Sequence, residues 1–365
     1  MAKQNEPSLA VVADCHIGNF SFHGGKEKGG INERGELSLE VFRRSLKQAR
    51  ENGATMFVVA GDLFHRRKPE PAIIAAVARV LHEEAKELPV IICPGNHDLV
   101  ETFADDGNTA CEPLYQEATV VRAPEWFEVD GTTLNVLCVP YQSGISMQAY
   151  LTERLPRYKR AGRSILISHF GVFDGTAPDW LKRDPDGIHI QGLQELLEAN
   201  KFEAAFVGHY HTHQVWGQSS ERVIEPLVVQ VGTLCPQTHS DEGLFPTVGG
   251  LLHYRAGGKR GEFTLVEVAG PRFLSLASTD EIEKNVKDPN QRYYVRVPPS
   301  LAETPTAAGS YLEVVEAMAP EPEIVTEQAE SPEEAITSFA SSRAIQGVDT
   351  AKVVEESLRF WKGAL

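Results

Sequence analysis

Met56-Phe57-Val58-Val59-Ala60-Gly61-Asp62-Leu63-Phe64-His65 decides how this chain folds. The apolar run suits a strand buried on both faces, and Gly61-Asp62 ends it with a carboxylate. Four other stretches are built alike. They are Leu9-Ala10-Val11-Val12-Ala13-Asp14-Cys15-His16, Val90-Ile91-Ile92-Cys93-Pro94-Gly95-Asn96-His97-Asp98, Ile165-Leu166-Ile167-Ser168-His169 and Ala204-Ala205-Phe206-Val207-Gly208-His209-Tyr210-His211. A buried strand that ends in polar side chains delivers them to one edge of a sheet, where loops hold chemistry.

Between the first motifs lie amphipathic stretches. Leu39, Phe42, Leu46 and Ala49 recur at helical spacing before Asn52-Gly53, and Ile73, Ile74, Val77, Val80 and Leu81 mark a second helix. Strand–helix alternation of this kind is the pattern of an α/β core with crossovers. From about Val120 the chain turns to β character, with Leu134–Val139 as a strand and a helical stretch near Met147–Arg163. Gly192–Asn200 reads as a short helix, Leu227–Val231 as a strand, and Leu251–Tyr254 with Phe263–Val268 as a hairpin. The expected organisation is a catalytic domain over 1–268, a small domain over 269–318 with a strand at Arg292–Val297, and an acidic linker over 319–330. A helix–turn–helix segment over 331–365 follows, opening with the capping box Ser331-Pro332-Glu333-Glu334.

Composition narrows the class. Hydrophobic residues make up 42% of the 365, enough for a sizeable core and against global disorder. Cys15, Cys93, Cys111, Cys138 and Cys235 are odd in number and form no CxxC pair, which suits a reducing cytoplasm rather than a disulfide framework. Neither a signal-peptide pattern nor a membrane-length apolar run is found, so a cytoplasmic protein with no membrane partner is expected. The formal net charge of −16 weighs against tight unaided binding to nucleic acid.

The strand-end side chains are a mixed oxygen and nitrogen donor set. Asp14 and His16 alternate by two and project to one side of an extended segment, with Cys15 facing away; His209 and His211 repeat this. Asp62 can bridge two cations with its two oxygens, Asn96 offers an amide oxygen and His169 another nitrogen. Such a set suits Mn²⁺, Fe or Zn²⁺ better than Ca²⁺ or Mg²⁺ alone. Two cations roughly 3.5–4 Å apart clamp the attacking and leaving oxygens of a phosphoryl displacement, so phosphate esters are the natural substrates. His97, beside Asn96, is placed to protonate the leaving alkoxide, and His65, one helical turn after Asp62, can fold back over the site. Each cluster alone has an ordinary reading: a turn for Gly95-Asn96, a helix N-cap for Asp62, a surface pair for His209 and His211. Their recurrence in order makes the case. The remaining histidines, His23, His82, His189, His239 and His253, fall outside the pattern, and His213 is expected in a structural or rim role.

Asp14-x-His16, Gly61-Asp62-Leu63-Phe64-His65, Gly95-Asn96-His97-Asp98, His169 and Gly208-His209-x-His211 together resemble the calcineurin-like metallophosphoesterases over residues 9 to about 240. The resemblance implies a four-layer α-β-β-α sandwich with a dinuclear metal site at the strand ends. Gly61–Pro69, with its Phe64-His65-Arg66-Arg67-Lys68 run, looks like the SbcD-type nucleases of bacteria and phages, as does Val231-Gly232-Thr233-Leu234-Cys235-Pro236. Gly270-Pro271-Arg272-Phe273 resembles, more weakly, the start of that branch's capping domain.

By this likeness Asp14, His16, Asp62 and His211 hold one metal, and Asn96, His169 and His209, with Asp62 shared, hold the other. His97 becomes the catalytic acid and His65 the residue that places the scissile phosphate. The implied activity is Mn²⁺-dependent 3′→5′ exonuclease and endonuclease action on DNA, in a homodimer. Residues 331–365 would dock on the coiled coil of an SbcC-type, SMC-like ATPase. DNA contacts are sought at Arg66, Arg67 and Lys68 and at Arg157, Lys159 and Arg160, with Arg154 and Arg163 nearby; a solvated face is the ordinary alternative for both groups. A small-molecule or protein phosphoesterase of the same fold fits the acidity, and a scaffold without chemistry is disfavoured because no ligand position is substituted.

Overall fold

The computed structural model describes residues 8–314 apart from 22, 87, 101–107, 218–225, 240, 242–249, 256–260, 288–291 and 305–309, together with six positions between 351 and 359. The acidic linker and the capping box at Ser331 lie outside the described residues, as does most of the expected terminal helical pair.

Two six-stranded sheets form the centre. In the first the order is Glu262–Val266, Leu251–Arg255, Ser8–Val12, Met56–Ala60, Val90–Cys93, Thr119–Val120. In the second it is Gln214–Trp216, Leu227–Gln230, Ala204–Gly208, Arg163–His169, Leu134–Val139, Glu125–Glu128. The five motif strands occupy central places and pair in parallel with their motif neighbours, so their polar ends emerge at the same edges.

The period of two along each strand sorts side chains into layers. Leu9, Val11, Val58, Ala60 and Ile91 meet Ile165, Ile167, Ala204 and Phe206 between the sheets. Ala10, Val12, Phe57 and Val59 face the other way, onto Phe42, Leu46, Val77 and Val80 of the helices Glu33–Glu51 and Pro71–Glu84. On the far side of the second sheet, Leu166, Ala205 and Val207 pack on Met147 and Leu151 of one helix and Leu193 and Leu197 of another. The result is the four-layer α-β-β-α sandwich, and burial of each large aliphatic or aromatic side chain in it contributes about 1.5–3 kcal/mol.

Local expectations were met unevenly. The helix Met147–Arg154 of the fourth layer tightens at its end into a 3₁₀ turn over Leu155–Tyr158, because Pro156 removes an amide donor and Arg163 already begins a strand. The short helix spans Ile190–Ala199, starting two residues before the sequence placed it. After the hairpin, Arg272–Ser275, Tyr293–Val297 and Tyr311–Val314 form a parallel three-stranded sheet. With the helix Thr279–Asn285 it closes a separate cluster of Ile282, Val286, Tyr293, Val295 and Val297. Among the described residues, no helix is long and apolar enough to cross a membrane. All five cysteines are buried free thiols.

Candidate metal centre

Seven side chains from the five strand ends converge at the shared edge of the two sheets. Around one position, His16 Nε2 lies 3.1 Å from His211 Nε2, 4.0 Å from Asp14 Oδ1 and 3.7 Å from Asp62 Oδ2. His211 Nε2 closes the group at 3.9 Å from Asp14 Oδ1. Around the neighbouring position, Asn96 Oδ1 lies 3.0 Å from His169 Nε2 and 3.2 Å from His209 Nδ1, and His169 Nε2 is 3.4 Å from Asp62 Oδ2. Asp62 belongs to both, but not by dividing its two oxygens. Its Oδ1 accepts the His97 amide at 2.8 Å, so Oδ2 alone faces the two groups.

The backbone reaches this geometry through strain. Asp14, His16, Asp62 and His209 all have positive φ, between 45° and 99°, which non-glycine residues seldom adopt. Asp14 and His16 are therefore not on a plain extended segment. Their amides donate to Gly61 and Asp62 carbonyls, which locks the first and second motifs together. Nor is His65 a helical turn beyond Asp62. Leu63 and Phe64 run alongside Ile17 instead, and His65 stacks on Phe20 at 4.2 Å, 5.9 Å from the His16 ring and 6.4 Å from the His97 ring.

Two motif glycines are required by proximity. A Cβ on Gly61 would sit 2.0 Å from His169 Nδ1, and one on Gly95 would sit 2.3 Å from Asp62 Oδ1. Gly61 also has φ of +89°. Gly61→Ala is expected to cost about 1–3 kcal/mol by overpacking and backbone strain and to displace His169. Thermal melting and metal titration check it; a variant that melts and binds metal like wild type contradicts the packing account.

The rings of His169, His211 and His97 are each oriented by a partner on Nδ1. His169 Nδ1 donates to the Ala60 carbonyl at 3.0 Å, and His211 Nδ1 donates to Asp241 at 3.0 Å. Both turn Nε2 towards the carboxylates. His97 Nδ1 donates to the His65 carbonyl at 2.8 Å, which leaves Nε2 as the ring nitrogen outside that bond. Neighbouring Asp98 takes no part in this set. It is fully buried and accepts amides of Leu63, Phe64 and Gly95, bracing the second motif against the third. Burial and then the Asp62 charge push its carboxyl up to about 6, against the pull of those donors.

The electrostatics call for cations. Burial alone would keep His169 neutral, yet the Asp62 carboxylate outweighs it and lifts the imidazole to about 10. For His211, burial is likewise overcome, by the Asp241 hydrogen bond and the Asp14 charge, to about 9. Asp62 stays ionised despite burial because His169 and His16 surround it, whereas burial raises Asp14. The carboxylates thus draw positive charge onto the nitrogens that face them. Asp14, His16 and His211 offer ligand atoms within 4.8 Å of one another, as do Asp14, Asp62 and His169, and with the Asn96 amide oxygen nearby this mixed donor chemistry fits divalent ions. His16 Nδ1 and His65 Nδ1 are buried with no hydrogen-bond partner among the described residues.

The basic candidates separate. Arg66, Arg67 and Lys68 follow His65 directly and are exposed beside the centre. Arg157, Lys159 and Arg160 precede the strand whose far end carries His169, so that strand's seven residues put roughly 20 Å between them and the centre. Arg157 pairs there with Glu153, and Arg160 with Glu128. Contact with DNA by this second group would therefore fall away from the reacting centre, on a surface beyond the far end of that strand.

Other carboxylates near the site went unread in the sequence. Asp184 lies 3.8 Å from His209 Nε2 and accepts the Tyr210 hydroxyl, and Asp186 accepts the Tyr141 hydroxyl. They arrive on the loop between Gly171–Phe173 and Gly187–His189, where no apolar run announces them. Asp241 comes from a turn after Cys235-Pro236. His213, expected in a structural role, donates to the Val231 carbonyl.

A two-sheet sandwich with an Asp/Asn/His centre at the strand ends defines a metal-dependent phosphoesterase. The chain belongs to the calcineurin-like phosphoesterase family, whose model matches residues 7–213. It is similar to the DNA double-strand break repair protein Mre11 of Methanopyrus kandleri, 28% identical over 92 residues, which is 25% of this chain and 19% of that protein. The Archaeoglobus fulgidus protein of the same name is 36% identical over 91 residues, again 25% of this chain and 19% of the relative. The matched stretches therefore span about a fifth of the length of these relatives. A dimetal phosphatase from Danio rerio superposes with a TM-score of 0.41 at 13% identity, covering 71% of this chain and 95% of that one.

Proposed function

We propose that this chain is a two-metal, Mn²⁺-dependent phosphodiesterase acting on DNA, the nuclease partner of an SMC-like ATPase in DNA repair, recombination or phage DNA processing. The observation that carries the reading is the exposed Arg66-Arg67-Lys68 run, which follows His65 at the rim of the centre. A polyanionic backbone laid across the site meets positive charge there. The stretches shared with two Mre11 repair proteins support the same direction. Docking of an ATPase on residues 331–365, a homodimer and a cytoplasmic location complete the proposal.

Divalent ions bound here would polarise the phosphate and ionise the nucleophile at neutral pH. The chain's own groups do the rest. Asp14, His16, Asp62 and His211 on one side and Asn96, His169 and His209 on the other fix the reacting centre between the sheets. His97, anchored through Nδ1, presents Nε2 to protonate the departing oxygen. For His65, burial and then the His97 charge lower the imidazole to about 4, so it stays neutral and acts by position.

A second reading, a phosphoesterase for nucleotides or phosphopeptides, draws on Asp184 and Asp186, which put negative charge beside His209 and disfavour a long anion on that side. Digestion of end-labelled single- and double-stranded DNA with Mn²⁺, with and without a candidate ATPase, separates the two. Cleavage is expected, with the combined Arg66→Ala, Arg67→Ala and Lys68→Ala variant binding DNA more weakly and with a salt slope smaller by about 1 per lost phosphate contact. Intact DNA alongside turnover of nucleotides or phosphopeptides would establish the second reading instead.

A further inference from the structure

We propose that Asp241 is a positioning residue for His211, and that the small C-terminal sheet sets the strength of that metal position by mooring the turn on which Asp241 sits. The inference rests on the two-metal reading above and names a control built on one of its two positions.

Asp241 faces two ways. Its Oδ1 accepts from His211 Nδ1 at 3.0 Å, which fixes the ring with Nε2 towards His16 and Asp14. Its Oδ2 accepts the amides of Gln237 and Thr238, so the carboxylate is held by its own turn. A buried carboxylate that has spent one oxygen on the backbone has little freedom to follow a moving ring. It dictates the ring's place.

From outside, the turn is tied through Arg34 and through His239, whose Nδ1 also lies 3.9 Å from Glu313 Oε2 of the C-terminal sheet. The Arg34 guanidinium donates to the Gln237 carbonyl. Arg34 in turn lies 4.1 Å from the Phe20 ring and 5.0 Å from the Phe273 ring. His239 Nε2 donates to the Tyr294 carbonyl at 3.1 Å, and its ring stands edge-on to Phe273 at 5.2 Å. Phe273 and Tyr294 belong to the C-terminal sheet and stack at 4.5 Å. A continuous path therefore runs from that sheet through Gln237–Asp241 to His211. His209 has no part in it: its ring faces Asn96 and Asp184. Displacing the sheet should loosen one metal position and spare the other.

The test is Mn²⁺ binding by calorimetry and by the electron paramagnetic resonance of the spin-coupled pair, on the full chain, with melting of the metal-free protein alongside. Wild type is expected to bind two ions. Asp241→Ala should weaken one of them about 10–100-fold and abolish the coupled signal, with the other affinity unchanged. His239→Ala, which touches no metal-ligand candidate, should weaken that same ion about 2–10-fold through the lost bond to the sheet. If Asp241→Ala does not fold, His239→Ala makes the comparison alone. Wild-type affinities in either folded variant overturn the inference, as does equal loss at both positions with a lowered melting temperature, the mark of a merely structural role. A wild-type chain that binds fewer than two ions overturns the two-metal reading itself.

Discussion

Asp62→Asn is expected to lower phosphodiester hydrolysis by on the order of 10³-fold and to leave the protein unable to hold two ions. The substitution keeps shape and removes charge. Oδ2 is the single atom that faces both donor groups, 3.7 Å from His16 Nε2 and 3.4 Å from His169 Nε2. An amide in its place either turns its NH₂ towards the centre or turns it against the His97 amide, which already donates to Oδ1. Both orientations break the set. The loss of the charge that sustains His169 compounds the effect, since Asp62 leads the interactions that raise it against burial. Mn²⁺ stoichiometry and turnover of an activated phosphodiester measure the outcome. Two ions bound with undiminished turnover would refute the shared-carboxylate arrangement.

His97→Ala is expected to be nearly as damaging to DNA cleavage while leaving the metal positions intact. General-acid catalysis contributes typically about 10²–10⁴-fold, most when the leaving group is a poor one. The deoxyribose oxygen is such a group, whereas an aryl oxide leaves without a proton. Turnover of DNA should therefore fall by about 10²–10⁴-fold and turnover of bis-p-nitrophenyl phosphate by less than about 10-fold. Equal losses on both substrates would show that His97 serves the fold or the metals instead. The two-substrate comparison is needed because a His97 ring nitrogen lies within 4.8 Å of ligand atoms of His16 and Asp62, while its hydrogen bonds run from the ring to the His65 carbonyl and from its backbone to Asp62.

The strand-end histidines and carboxylates were legible because they obey a local rule. An apolar run ends, and the next polar side chain must lie at the sheet edge. Parallel pairing of Ser8–Val12 with Met56–Ala60, and of Arg163–His169 with Ala204–Gly208, then brings those edges into line. How far Arg157, Lys159 and Arg160 lie from the centre was not legible, because charge has no direction in a sequence. Only the strand after them shows that they stand at the end opposite His169. The left-handed backbone at Asp14, His16 and Asp62 was equally hidden, since Asp and His tolerate it better than most residues but adopt it at few of their positions. Its cause lies in contacts between motifs, the Asp14 amide with Gly61 and the His16 amide with Asp62.

What the sequence determined by itself was the α/β alternation, the donor types and their order along the chain. These follow from periodicity and from the chemistry of single side chains, both of which are local. The tertiary structure decided which oxygen of Asp62 is shared, which nitrogen of each ring faces the centre, and which carboxylates stand behind the rings. Asp241 meets His211 across 30 residues of chain, and Asp98 reaches the Phe64 amide across 34. No spacing rule encodes such meetings. They are set by where loops come to rest once the two sheets have packed, and that is a property of the whole fold.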